Sequence, residues 1–261
     1  MLSLTKKVIT VLRFLRLKEY SSNLIGIPFL IWLISPKELL TVKTALVLTA
    51  NICLTAFTFS FNDIEDAEDD FLDLVKRERN VIANGSLERK WAYLICASLL
   101  STGLAILQFV DPQLTMIAFM LSVNSFLYSW KKIRFKSIPF IDLVSHALAI
   151  GIQQLLITYY AFNPLDFRIF PYIGLVTSFS FATQLSQELR DSRIDEVTNV
   201  RTTAQILGER NTMILIVIFS LIPTFAALLL PKPLPYLAPI MTPAYLLHLN
   251  KRLGLPLKKL L

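Results

Sequence analysis

Apolar stretches of a length suited to crossing a bilayer follow one another through almost the whole chain, at 20–35, 42–62, 91–110, 113–130, 138–161, 168–188, 211–230 and 234–249. A hydrocarbon layer of about 30 Å is crossed by a helix of roughly 20 residues. Inside such a layer every backbone N–H and C=O must be satisfied internally, which leaves helices or closed barrels. Apolar runs this long, without period-two alternation, predict helices. The chain therefore reads as an all-α polytopic membrane bundle with eight spans. Composition agrees: 54% of the 261 residues are apolar and 17% are charged, against about 25% charged in soluble domains. A disordered chain, a collagen-like fibre and an ordinary soluble enzyme are excluded. Pro235, Pro239 and Pro243 fall in the last stretch and predict a broken or kinked helix there. Cys53 and Cys96 both lie inside apolar stretches and read as small hydrophobic residues rather than a disulfide.

The net charge of +7 would suit a nucleic-acid partner, but its placement argues otherwise. Of the 26 Lys and Arg residues, 22 lie in the N-terminal segment, in the loops 63–90, 131–137 and 189–210, and in the tail. Only Lys37, Lys43, Arg168 and Lys232 fall on the opposite side. Bases concentrate on the cytoplasmic face of membrane proteins, so both termini and the long loops are expected in the cytoplasm. The charge is topological, and no nucleic acid is expected as a partner. Residues 1–18 mix Lys6, Lys7, Arg13, Arg16 and Lys18 with apolar positions, which predicts an amphipathic helix at the membrane surface rather than a signal peptide. One integral membrane domain is expected over 1–261.

The acids are scarce and unevenly placed. Twelve of the 19 lie in the windows 63–78 and 188–196, each at the cytoplasmic end of a span. Asn62, Asp66 and Asp70 are spaced i, i+4, i+8 and share one face of a helix continuing out of the second span. Asp63 lies on the neighbouring face, where it can orient the helix or bind a base. Glu188, Asp191 and Asp195 are spaced i, i+3, i+7 and again share a face. Asp66 to Asp191 and Asp70 to Asp195 are both separated by 125 positions, as expected of two pseudo-repeated four-helix halves around a central apolar cavity.

Carboxylates packed this closely repel one another unless a cation sits among them. All-oxygen clusters select hard cations such as Mg²⁺ or Ca²⁺, and Mg²⁺ commonly joins one or two carboxylates to a substrate phosphate. Flanking Arg and Lys can take the remaining phosphate oxygens. A phosphate at the water edge and a long apolar tail in the bundle describe an isoprenyl diphosphate. Two other readings stand beside this one. A run such as Asp63–Asp73 can be a plain solvated face. Acidic clusters can also serve a membrane transporter as an entry for a divalent cation or small solute.

The residues resemble the UbiA superfamily of intramembrane prenyltransferases. Asn62-Asp63-Ile64-Glu65-Asp66-Ala67-Glu68-Asp69-Asp70 matches that family's N-D-x-x-D-x-x-x-D signature. Glu188-Leu189-Arg190-Asp191-Ser192-Arg193-Ile194-Asp195 matches its second, D-x-x-D-x-x-x-D, with Glu in place of the first Asp. Tyr128-Ser129, followed by Arg134-Phe135-Lys136, is similar to the family's Y-[ST] and R-x-K pair, and Arg201 to Gly208 is similar to the stretch after its second motif. Asn80-Val81-Ile82-Ala83-Asn84-Gly85 stands where the family has R-P-[LI]-x-x-G, without the Arg-Pro pair. Family members usually have nine spans.

The resemblance implies a Mg²⁺-dependent transfer of a prenyl chain from an isoprenyl diphosphate, with release of diphosphate. The acceptor would be lipid-soluble or at the membrane surface, of the aromatic or quinone-precursor, chlorin, carotenoid or glycerol phosphate class. By resemblance, Asn62, Asp66 and Asp70 hold one Mg²⁺, and Asp191 and Asp195 a second, with Glu188 as an accessory ligand. Arg134, Lys136, Arg79 and Arg201 bind the diphosphate. Asp191, Asp195, Lys136 and Tyr128 carry the chemistry, Tyr128 by facing an allylic cation and a second-motif Asp as a base. Phe57 and Phe61 either join Tyr128 or pack. Among polar residues inside the spans, Asn124 and His146 are candidates for an acceptor head group, with helix–helix hydrogen bonding as the alternative.

Overall fold

The structure is a computed structural model and describes residues 4–164, 166–197, 201–230, 233–237, 240, 243–245 and 247. Ten α-helices carry the described chain, and no strand occurs among the described residues. In order they are α1 (Leu4–Phe14), α2 (Ser21–Ile34), α3 (Val42–Leu72), α4 (Leu74–Arg79), α5 (Arg89–Val110), α6 (Pro112–Ser129), α7 (Ile141–His146), α8 (Gln153–Phe162), α9 (Phe170–Val197) and α10 (Thr203–Ala227). A π-helical turn, Ala147–Ile152, joins α7 to α8. Seven of the eight expected spans coincide with helices; the eighth, 234–249, falls mostly outside the described residues. Among the described residues, four helical segments are long and apolar enough to cross a membrane: Val42–Asp70, Arg89–Val110, Ile141–Phe162 and Thr203–Ala227.

Local sequence explains where the helices start. Thr41 caps α3 by accepting from the Thr44 N–H, and Asp111, followed by Pro112, opens α6 by accepting from the Gln113 N–H. Asp73 ends α3 and caps α4 in one stroke, since its carboxylate accepts from the Val75 and Lys76 N–H groups. Gly208, at φ 74°, interrupts α10 after its first turns, a conformation open to glycine at little cost. Thr212 bridges the break by donating to the Ala204 and Gly208 carbonyls.

The chain forms two compact units. The first comprises Met1–Ile133 with Leu156–Asn163, and α3 is its axis. Val47, Ala50 and Leu54 of α3 pack with Leu107, Leu114, Ala118, Ile157 and Ala161. At Gly103 a side chain would meet Leu54 Cγ at 2.9 Å, so α3 and α5 approach as closely as glycine allows. Nearer the motif, Phe57, Phe61 and Ile64 pack with Phe14, Val81, Ala92 and Cys96. Rings stack there from Phe57 through Phe61 to Phe126, and Trp130 packs against Phe126 at a tilt. The two Phe residues thus serve packing in this unit, and Cys53 and Cys96 are both free thiols.

The second unit comprises Arg134–Leu155 with Pro164–Leu261. Its core joins Leu143 of α7, Leu185 of α9, and Met213 and Ile216 of α10. Phe181 and Phe219 meet edge to face across the α9–α10 pair.

Candidate functional site

The first acidic motif lies on the last turns of α3, at the end of the Val42–Asp70 segment. Helical periodicity brings Asn62 and Asp66 together, and the Asn62 amide donates to Asp66 at 2.9 Å. The Asn62 carbonyl oxygen accepts from the Ser129 hydroxyl at 3.0 Å, so the end of α6 fixes its orientation. Asp70, one turn further along, is buried. Its Oδ2 accepts from Asn80 at 2.9 Å and stands 3.9 Å from the Arg79 guanidinium.

Asp63, on the neighbouring face, pairs with Arg16 at 3.0 Å, and both side chains are nearly buried. Arg16 has a left-handed backbone, φ 52°, and its guanidinium lies over the Phe59 ring. The Ser60 hydroxyl donates to the Phe14 carbonyl. The link from α1 to α2 is thereby fastened to the side of α3 next to the motif. On the far side of α3, Glu68 pairs with Arg89 and Lys131, and Glu65 accepts from the Tyr93 hydroxyl and the Lys131 N–H. The acids of this window divide by face: Asp63 meets Arg16, and Glu65 and Glu68 meet Tyr93, Arg89 and Lys131, while Asn62, Asp66 and Asp70 share one oxygen-rich stripe whose last member also meets Asn80 and Arg79.

That stripe fits a hard cation. It offers an amide oxygen and two carboxylates on successive turns, with no nitrogen or sulfur donor in the set. Two of its members already touch, and Asp70 Oδ1 is left by partners that both use Oδ2. Among the described residues, no three His, Cys, Asp or Glu side chains converge into a ready-made metal cage. Mg²⁺ does not require one, because it keeps waters and binds through one or two carboxylates together with substrate phosphate.

The second motif is built differently. Glu188 is buried on α9. Its Oε1 accepts from the Gln184 amide at 2.9 Å, and its Oε2 from the Ala204 N–H at 3.0 Å. The adjacent Thr203 N–H donates to Asp142 at 2.7 Å, and so does the Thr203 hydroxyl. Two carboxylates therefore cap the first turn of α10, where unpaired N–H groups and the helix dipole favour negative charge. Asp191 pairs with its neighbour Arg190 at 2.7 Å. Asp195 belongs to the last turns of α9, and its side chain lies outside the described residues.

The remaining candidates distribute over both units. In the first, Arg79 is exposed beside Asp70, and Tyr128 and Asn124 are half-buried on α6. In the second, Arg134 and Lys136 are half-buried in the turn before α7, Arg134 in a left-handed conformation, φ 53°. Arg201 is exposed at the start of α10, and His146 is buried with Nδ1 3.0 Å from the Ser180 hydroxyl.

Three participants escaped the sequence reading. Asp142 had a usable signal: a lone acid inside an apolar span is itself a functional candidate. Arg16 was hidden among bases that read as topological. Asn80 carried no signal beyond its place in a weakly matching stretch.

A sequence model of the UbiA prenyltransferase family matches residues 24–255. Comparison with curated proteins finds no match. Among solved structures, the chain is similar to a UbiA homolog from Archaeoglobus fulgidus bound to GPP and Mg²⁺, with TM-score 0.69 and 20% identity, covering 92% of this chain and 86% of that one. The same homolog bound to DMAPP and Mg²⁺ gives TM-score 0.70 and 20% identity, over 91% and 85%. A structure concerning digeranylgeranylglyceryl phosphate synthase in membranes gives TM-score 0.66 and 18% identity, over 97% and 88%.

Proposed function

The chain belongs to the UbiA prenyltransferase family and is an integral membrane prenyltransferase, and from that premise we propose that it moves a prenyl group from an isoprenyl diphosphate to a lipid-soluble or membrane-surface acceptor, releasing diphosphate. Family membership sets the transporter reading aside. The observation that carries the proposal is the oxygen stripe Asn62–Asp66–Asp70, intact as a motif and drawn together at the end of α3. In the solved homolog, Mg²⁺ accompanies GPP or DMAPP.

In this reading Asn62, Asp66 and Asp70 would hold one Mg²⁺, and Asp191 and Asp195 a second; Glu188, expected as an accessory ligand, instead steadies the second motif, because its two oxygens accept from Gln184 and Ala204. Bound Mg²⁺ would neutralise the charge that develops on the leaving diphosphate. Lys136, Arg134, Arg79 and Arg201 supply charge-assisted hydrogen bonds to phosphate oxygens. The allylic C–O bond breaks with its electron pair going to the diphosphate. The Tyr128 ring faces the resulting allylic cation, a contact worth about 2 kcal/mol when desolvated. Apolar surroundings keep out water that would quench the cation to an alcohol. The acceptor's electron pair forms the new bond to the prenyl carbon, and Asp191 or Asp195 takes the proton released. Asn124 and His146 contact the acceptor head group. Active-site loops and both termini face the cytoplasm, supported by the lopsided distribution of bases. The two units work as one catalytic domain, supported by the family match across both.

Purified protein in nanodiscs tests the proposal. It is given radiolabelled dimethylallyl, geranyl or geranylgeranyl diphosphate, Mg²⁺ or EDTA, and acceptors of the aromatic, chlorin, carotenoid and glycerol phosphate classes. A labelled lipid formed with Mg²⁺ and absent with EDTA is expected, and its mass identifies the acceptor. Absence of product with every donor and acceptor class contradicts the proposal.

A further inference from the structure

The stripe on α3 has a neighbour that no motif assigns. Asn80 ends the short helix α4 and is fully buried. Its amide nitrogen donates twice, to Asp70 Oδ2 at 2.9 Å and to the Asp63 backbone carbonyl at 2.8 Å. Its carbonyl oxygen accepts twice, from the Ile82 N–H at 3.0 Å and the Ala83 N–H at 3.3 Å. All four bonding positions point in different directions, so only one orientation of the amide works. Rotated by half a turn, its oxygen would face two oxygens and its NH₂ would face two N–H donors.

This geometry joins a loop to a carboxylate through a rigid, neutral group. The turn at Ile82 and Ala83 holds Asn80, Asn80 grips the α3 backbone at Asp63, and the same NH₂ fixes Asp70 two turns further on. Because the donor is an amide, Asn80 orients Asp70 without itself adding positive charge beside it. Both described partners of Asp70 act on Oδ2, which leaves Oδ1 for a further ligand. Resting on the metal-binding reading of the stripe, we propose that Asn80 is a positioning residue that orients the Asp70 carboxylate for Mg²⁺.

Partners that orient metal-ligating carboxylates typically change metal affinity 10–100-fold when removed. The discriminating substitution is Asn80→Asp. It preserves the shape and the oxygen that accepts from Ile82 and Ala83, so the turn keeps its bonds. It replaces the donor facing Asp70 and the Asp63 carbonyl with an oxygen. Binding of Mn²⁺ alone, as a hard-cation probe, is followed by the electron paramagnetic resonance signal of free Mn²⁺ over full-length protein in nanodiscs. Thermal unfolding of each variant is recorded alongside.

The expected result is a Kd for Mn²⁺ raised about tenfold by Asn80→Asp, with a matching rise in the Mg²⁺ concentration for half-maximal transfer. In an Asp70→Asn background, Asn80→Asp should add no further change. Asn80→Ser retains a hydroxyl acceptor for the turn but is too short to reach Asp70. It should match Asn80→Asp and serves if the first variant does not fold. Unchanged Mn²⁺ affinity in both variants overturns the proposal, as does an equal loss with and without Asp70. Unsubstituted protein that neither binds Mn²⁺ nor transfers a prenyl group overturns the reading beneath it, so the two failures are distinguishable.

Discussion

The two acidic motifs share a spacing and differ in what their carboxylates do. On α3, the stripe takes hydrogen bonds from Ser129 to Asn62, Asn62 to Asp66, and Asn80 to Asp70, and the Arg79 guanidinium stands 3.9 Å from Asp70. On α9, Glu188 spends both oxygens on Gln184 and the first turn of α10, and Asp191 meets Arg190. The first arrangement lines up an amide oxygen and two carboxylates on one face, the donor set a hard cation takes. The second uses a carboxylate to tie one helix to the start of the next. Sequence periodicity makes them look like copies; tertiary contacts leave one an oxygen-rich stripe and make the other in part a joint.

Arg16 gives the largest expected effect on stability. Replacement by Met leaves the buried Asp63 carboxylate without its partner beside the stripe. Breaking a buried pair from one side costs about 3–5 kcal/mol, read as a lowered unfolding midpoint in nanodiscs. A variant as stable as the parent would show that α1 is not fastened to the motif in this way.

Glu188→Gln sharpens the contrast between the motifs. An amide in place of the carboxylate puts one N–H against either Gln184 or the Ala204 N–H, leaving a buried donor unpaired at a cost of about 1–3 kcal/mol. Stability should fall while the Mg²⁺ requirement stays within about twofold. A large rise in the Mg²⁺ requirement with unchanged stability would make Glu188 a ligand and erase the contrast.

Ser129→Ala removes only the bond that orients Asn62. A neutral hydrogen bond contributes about 1 kcal/mol, so the Mg²⁺ concentration for half-maximal transfer should rise by about fivefold. No shift in that titration would remove α6 from the account of the stripe. The smallest effect belongs to Arg89→Ala, because the Arg89–Glu68 pair is exposed and lies off the stripe. Exposed pairs contribute about 0–1 kcal/mol, and transfer should be unaltered within assay error.

These contrasts follow how much the sequence could disclose. Asn62, Asp66 and Asp70 were legible because a helix repeats every 3.6 residues, and a single continuous helix carries all three. Helices were legible as long apolar runs, and seven expected spans coincide with them. The partners of Asn80, Asp142 and Arg16 were not legible, since each bonds to another element of the chain, although Asp142 stood out as a lone acid in an apolar span. Asn80 reaches α3 only because the turn at Ile82–Ala83 folds back on it. Asp142 meets Thr203 across 61 positions, and Arg16 meets Asp63 across 47. Local pattern carries the face of a helix; which partner each face receives is set by packing.

The most direct test of the central claim is prenyl transfer by Asp66→Asn across a Mg²⁺ titration, beside the unsubstituted protein at equal amounts of folded enzyme. Asp66 is the member of the stripe that touches Asn62 and lies between it and Asp70 along the face. Loss of several kcal/mol of charge stabilisation should lower transfer by about a thousandfold or more, and extra Mg²⁺ should not restore it. Transfer at the parent's rate and with the parent's Mg²⁺ dependence would contradict the assignment of the α3 stripe as the metal site.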